Sequence, residues 1–180
     1  MPLCSRELPT SPAGSILAAY MDTVTLSPLG RLHTPFTRLA GMPIQSVGAR
    51  GVAGWIELDP AYADGLRDLE GFEYLILIYH LHLAQAASLT VTPFLDDRPR
   101  GVFATRSPSR PNTLGLSIVR LVGITGLRVD VEDVDMLDGS PLLDIKPYVP
   151  AFDVRNTERI GWYAGKVSQV YQARSDDRFA

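Results

Sequence analysis

From Val24 onward the apolar residues of this chain come in short, β-branched runs broken every few positions by Gly and Pro, a spacing that suits a sheet closed on itself and not a helical bundle. The runs are 24–32, 53–58, 72–83, 88–93, 115–124, 127–135 and 142–145. The third, FEYLILIYHLHL, is almost continuously apolar, which predicts a strand buried on both faces. Thr125-Gly126 separates two β-branched runs and offers the positive φ of a tight turn, so a hairpin is expected there. A short helix is expected after Asp59, its cap, with Pro60 in the first turn and Tyr62, Leu66 and Leu69 on one face. A second is expected over 157–166. The fold class read from this pattern is mainly β: a single-sheeted closed β-barrel with one or two short helices.

At 180 residues, 46% of them apolar, the chain holds one sizeable core. Residues 1–22 read as a flexible leader, 23–166 as the barrel domain and 167–180 as a charged C-terminal tail. A single cysteine, Cys4, excludes an intramolecular disulfide and four-cysteine metal sites. No stretch near the start has the basic n-region or apolar length of a signal or membrane span, so a cytoplasmic location without a membrane partner is expected. The formal net charge of −3 leaves nucleic-acid contact to local clustering. One cluster exists: Arg98, Arg100, Arg106, Arg110, Arg120 and Arg128 fall within 98–129 with no Asp or Glu among them. It is either a segregated basic face or a solvated surface.

Several patterns carry no chemistry. The glycines of 48–54 run into an alternating strand pattern, whereas a dinucleotide loop must open a helix. His80 and His82 share a side of a predicted strand but lack a third ligand, so no metal is expected. The connection 34–52 is long for a passive loop and is a candidate binding segment. In 101–115, Pro108 and Pro111 stiffen a backbone that presents Arg106, Arg110 and Asn112, as either a preorganised ligand loop or a rigid connector. After the turn at 138–141, Asp144, Lys146 and Tyr148 alternate onto one face, as either a row beside a ligand or a salt-bridged outer face.

The ordered set GVFATRSPxRPN at 101–112, LGLS at 114–117 and DxLDGxPLLDIKPYVP at 135–150, with Pro43-Ile44-Gln45 and Leu69-Glu70-Gly71-Phe72 upstream, resembles the TsaA-like (TrmO) family of tRNA methyltransferases. The similarity runs over about 24–153. It implies a homodimeric, S-adenosyl-L-methionine-dependent enzyme on a single-sheeted β-barrel. The implied reaction is N6-methylation of the threonylcarbamoyl-modified adenosine 37 beside the tRNA anticodon. Carried onto matching positions, cofactor contacts fall on Pro43, Ile44, Gln45, His82, Leu83, Arg106, Ser117, Asp138, Gly139, Ser140 and Pro141. Arg106, Arg110, Asn112 and Lys146 are the expected substrate contacts, and Asp138, Asp144 and Tyr148 the candidates for accepting a proton. Thr113-Leu114 stand where the family usually has Pro-Ile, and Ser140 where Thr is commoner. Longer members carry an extra C-terminal domain; without it, RNA contact falls to the arginine cluster. Two other readings are a methyltransferase of a small metabolite and a noncatalytic S-adenosyl-L-methionine-binding module.

Overall fold

The computed structural model describes residues 23–176 and 178, so the expected leader lies outside the described residues. Eight strands follow in order: β1 (Gly30–His33), β2 (Ala53–Leu58), β3 (Tyr74–His80), β4 (Thr90–Val91), β5 (Arg100–Gly101), β6 (Leu114–Thr125), β7 (Arg128–Glu132) and β8 (Pro141–Pro147). Six of them hydrogen-bond in the cyclic order β1-β2-β7-β6-β3-β8, every pair antiparallel. The pairs Gly30↔Leu142 and Arg31↔Pro141 close the ring. Strands β4 and β5 form a separate two-stranded sheet, so the expectation of one sheet needs correction. Pro93 and Pro99 lack the amide hydrogens that a strand inside the ring would have to donate.

Alternation along the strands fills the ring. Leu32, Ile56, Leu75, Leu77, Val119, Val129, Val131 and Leu142 point inward and are almost wholly buried. The expectation that 72–83 is buried on both faces does not hold: in β3, Leu75, Leu77 and Tyr79 are buried while Ile76 and Ile78 are half-exposed. A sheet closed on itself encloses only one face, and among the described residues nothing fully covers the other in β3. The hairpin is as expected, with Thr125 paired to Arg128 and Gly126 at φ +61° in a two-residue loop.

The helices are shorter and tighter than expected. Asp59 does cap Pro60–Leu66, its carboxylate accepting from the Ala61 amide at 2.8 Å, but the segment is a 3-10 helix. Its seven residues include Gly65 and end before Asp68, whose φ is +66°, so the one-face stripe is broken. Leu69 reaches the core, whereas Tyr62 is exposed. In place of a helix over 157–166 there are 3-10 turns at Gly161–Tyr163 and Val167–Tyr171, preceded by a four-residue α-turn at Pro150–Asp153. Among the described residues no helix is long and apolar enough to cross a membrane.

One packing contact ties β3 to β6. Tyr79 pairs with Gly115 across the two strands, and a Cβ built on Gly115 would stand only 2.3 Å from Cε2 of the Tyr79 ring. Gly115→Ala therefore forces the ring or the strand aside and should lower the unfolding free energy by about 1–3 kcal/mol, measured by urea denaturation. Unchanged stability would show that the ring is not confined there.

Candidate functional site

Because all ring neighbours are antiparallel, three connections open on the same end of the ring. They are 34–52 after β1, 81–113 after β3, and 133–140 before β8. The other end carries the two-residue hairpin loop at 126–127, the 59–73 connection and the start of the chain beyond β8. The expected contacts Pro43, Ile44, Gln45, His82, Leu83, Arg106, Arg110, Asn112, Asp138, Gly139 and Ser140 all belong to the first end. Pro141 opens β8 at the same end, and Ser117 lies in the first third of β6.

Direct contacts join these connections. Arg106 donates from Nη1 to Gln45 Oε1 at 2.6 Å, linking 81–113 to 34–52. The Leu81 amide bonds the Thr113 carbonyl at 2.8 Å, and His82 Nδ1 lies 3.4 Å from Ser140 Oγ, so the end of β3 touches both motif-bearing loops. In 133–140, Asp138 receives the Thr34 amide at Oδ1, 3.0 Å away, and its own amide bonds the Phe36 carbonyl. Gly139, at φ +75°, donates to Leu32, and Ser140 is 2% exposed. Asp138 thus fixes the 34–52 connection against the turn.

The 101–113 stretch is stiff through its own hydroxyls. Thr105, Ser107 and Ser109 are buried; Thr105 Oγ1 accepts from Ser107 N–H, and Ser107 Oγ accepts from Ser109 N–H. Arg110 turns back to donate to the carbonyls of Thr105 and Ser107 at 3.3 and 3.4 Å, bracing the loop with part of its guanidinium. Asn112 is exposed at the tip.

Three expected residues stand elsewhere. Tyr148 lies at the far end of the ring, its amide bonded to the Tyr74 carbonyl. Asp144 and Lys146 point outward from β8, ion-paired to each other at 2.7 Å, which is the outer-face alternative. The arginine cluster also divides. Arg100, Arg120 and Arg128 pair with Asp96, Glu132 and Asp130, whereas Arg98, Arg106 and Arg110 have no ion pair among the described residues.

Sequence reasoning named Ser117 but missed three participants: Asp135, Tyr79 and the segment after Ile160. Ser117 Oγ donates to Asp135 Oδ1 at 2.5 Å and lies 3.0 Å from the Tyr79 hydroxyl, a chain of polar groups set into the ring. Burial pushes the Asp135 carboxyl up to about 6, with the Ser117 hydrogen bond and Arg106 pulling it down. Burial and then the Asp135 charge push the Tyr79 phenol up, so it stays neutral. Tyr163 is raised by burial and lowered by Arg106, which places it within the field of the same guanidinium. In sequence, Asp135 opens the DxLDG motif but is one acid in the run from Asp130 to Asp138, and nothing local marks it as the one set against Ser117.

The third participant is the segment after Ile160. Trp162 Nε1 donates to the Ala104 carbonyl at 2.7 Å, Lys166 bonds Asp96 at 2.8 Å, and Ser175 exchanges hydrogen bonds with Gly41 and Met42. It therefore holds the 34–52 and 81–113 connections from outside. Two open surface clefts, around Asp96 and Arg178 and around Trp55, Pro60 and Leu127, contain none of the expected site residues. Among the described residues no group of three or more His, Cys, Asp or Glu could hold a metal.

Residues 31–154 match the tRNA-methyltransferase O N-terminal domain, and the chain belongs to that family. It is 49% identical over 152 residues to a probable S-adenosyl-L-methionine-binding protein of Pyrococcus abyssi, covering 84% of this chain and 83% of that one. It is 33% identical over 160 residues to the mouse tRNA (adenine(37)-N6)-methyltransferase, covering 83% of this chain and 35% of the mouse protein. The crystal structure of TrmO from Pseudomonas aeruginosa superposes with a TM-score of 0.66 at 35% identity, over 78% of this chain and 63% of that one. The chain thus spans less than two thirds of the mouse protein and of the bacterial structure.

The Asp135 shift has a sign for stability. Its folded-state pKa, about 6, lies above the ordinary carboxylate value of 3.8, so the stabilisation is full below about pH 3.8 and is lost as pH rises through about 6. Asp135→Asn, which removes the charge and keeps an acceptor for Ser117, should exceed wild type in unfolding free energy by about 2–3 kcal/mol above pH 6 and match it near pH 4. Urea melts at the two pH values check this; a variant less stable at both contradicts it.

Proposed function

We propose that this chain is an S-adenosyl-L-methionine-dependent methyltransferase, its site at the ring end that carries 34–52, 81–113 and 133–140, acting on N6 of the threonylcarbamoyl-modified adenosine 37 of tRNA. The six-strand ring is then the single-sheeted barrel of the family, and a tRNA substrate sets its work in the cytoplasm. The observation that carries the reading is the contact of Gln45 with Arg106 and of His82 with Ser140, which joins motif residues far apart in sequence into one cluster.

The residues present fit the cofactor. The positive charge of a sulfonium nucleoside is stabilised by an anion that no bonded cation already satisfies, and Asp135 is one such group. When bound, S-adenosyl-L-methionine supplies an electrophilic methyl group on a positively charged sulfur. The chain's own task is positioning. Asp138 and Gly139 lock the turn, and Ser140 orients His82. Gln45 fixes one nitrogen of Arg106, leaving its other N–H groups to meet an anionic group of cofactor or RNA. Arg98, Arg106 and Arg110, with exposed Arg38 and Arg50 of the neighbouring connection, form the basic surface for tRNA. Asp144 and Tyr148 are not needed in this scheme, because one faces outward and the other occupies the far end.

The Pyrococcus abyssi relative is described by binding alone, which keeps open a second reading, a module that holds the cofactor without consuming it. Incubation of the purified chain with cofactor and tRNA from cells lacking it, followed by nucleoside mass spectrometry, separates the two. One methyl gained on the modified adenosine supports the enzyme; binding without turnover supports the module. In the same assay, Arg38→Ala with Arg98→Ala should flatten the salt dependence of tRNA binding by a slope of about 1 per arginine.

We also propose that the chain forms a homodimer through the outer face of β3 and β6, where Leu114, Leu116 and Ile118 are exposed beside half-buried Ile76 and Ile78. Leu116→Glu should yield monomers in sedimentation analysis; a wild-type monomer would remove the proposal.

A further inference from the structure

Two acidic side chains near the loop end are withdrawn from water, and they are compensated differently. Asp96 is paired with Lys166 at 2.8 Å and with Arg100 at 2.7 Å, which together hold its carboxyl well below the usual carboxylate range. Asp135 has no ion pair among the described residues. Its side-chain partner is the neutral Ser117 hydroxyl, and the Arg106 charge acts on it from a guanidinium bonded to Gln45. A half-buried carboxylate without a bonded cation destabilises the fold at neutral pH, and a cationic ligand at its open side would offset that cost.

We propose that Asp135 is the counter-charge for the sulfonium of the methyl donor, and that it separates the charged donor from its neutral thioether product. The inference rests on the cofactor assignment made above. Ser117, expected as a cofactor contact, is 3% exposed and commits its hydroxyl to Asp135 and Tyr79, so its influence reaches the site through Asp135. Tyr79 cannot swing away, because its ring lies over Gly115. The carboxylate is thereby held in one orientation before any ligand arrives, the condition for electrostatic preorganisation. On transfer the acceptor nitrogen forms the new N–C bond, the C–S electron pair stays on sulfur, and the acceptor's proton passes to water. The group facing Asp135 has then lost its positive charge, which favours product release.

The groups acting on Asp135 are few: Ser117 from β6, neutral Tyr79 from β3, and Arg106 from the 81–113 connection. Calorimetric titration of S-adenosyl-L-methionine and S-adenosyl-L-homocysteine into the full chain isolates the effect, because the two ligands share adenosine, ammonium and carboxylate and differ in the charge on sulfur. Wild type should favour the charged ligand by about tenfold at about pH 7.5. That preference should fall toward one in Asp135→Asn, and in wild type as pH drops through about 6. A preference that survives both changes overturns the role of Asp135 while leaving the cofactor assignment intact. If wild type binds neither ligand, both fall. Should Asp135→Asn fail to fold, the wild-type pH series decides by itself.

Discussion

The hydrogen bonds between β1 and β8 govern the rest of the molecule. Leu29 N–H bonds the Leu142 carbonyl at 2.7 Å and Leu32 N–H bonds that of Ser140 at 3.0 Å, which closes six antiparallel strands into a ring. Closure does two things at once. It leaves the ring without an unpaired strand edge, and it sends the two longest connections, 81–113 and 34–52, to the same end as 133–140. The turn that completes the closure, 138–140, is also the turn that carries the expected cofactor contacts, so the ring cannot close without assembling part of the site.

The site end is stiff for reasons that differ from loop to loop. Buried hydroxyls of Thr105 and Ser107, which accept from the Ser107 and Ser109 amides, replace the backbone partners that Pro108 and Pro111 deny the 101–113 stretch. Asp138 replaces a strand partner for Thr34. The segment from Trp162 to Ser175 adds an outer brace, touching 34–52 and 81–113 mostly through backbone groups. Against this rigid setting Asp135 is the costly member, a carboxylate whose burial disfavours its charge. Such a cost persists where function needs the group.

The sequence was most legible where a single local rule decides the outcome. β2 begins and ends where the alternation does, Asp59 caps as its side chain predicts, and Gly126 takes the positive φ its turn demands. It was less legible where the partner lies across the ring. Glu132 of β7 neutralises Arg120 of the neighbouring β6, which no count of arginines along the chain can anticipate, whereas Arg128 is paired within its own strand by Asp130. The two-face burial of β3 was misread because a continuous apolar run is the same in a stacked sheet and in a ring with an apolar outer face. The brace after Ile160 has no apolar period to betray it, since it docks by hydrogen bonds, one from Trp162 and several at Ser175.

The central claim is that S-adenosyl-L-methionine seats at the end of the ring where 34–52, 81–113 and 133–140 meet. Amide hydrogen exchange followed by mass spectrometry, with and without the cofactor, tests it without a substrate or a variant. The account predicts slower exchange in those three connections and unchanged exchange at 59–73 and 126–127. Protection confined to the opposite end, around Trp55, Pro60 and Leu127, would contradict it.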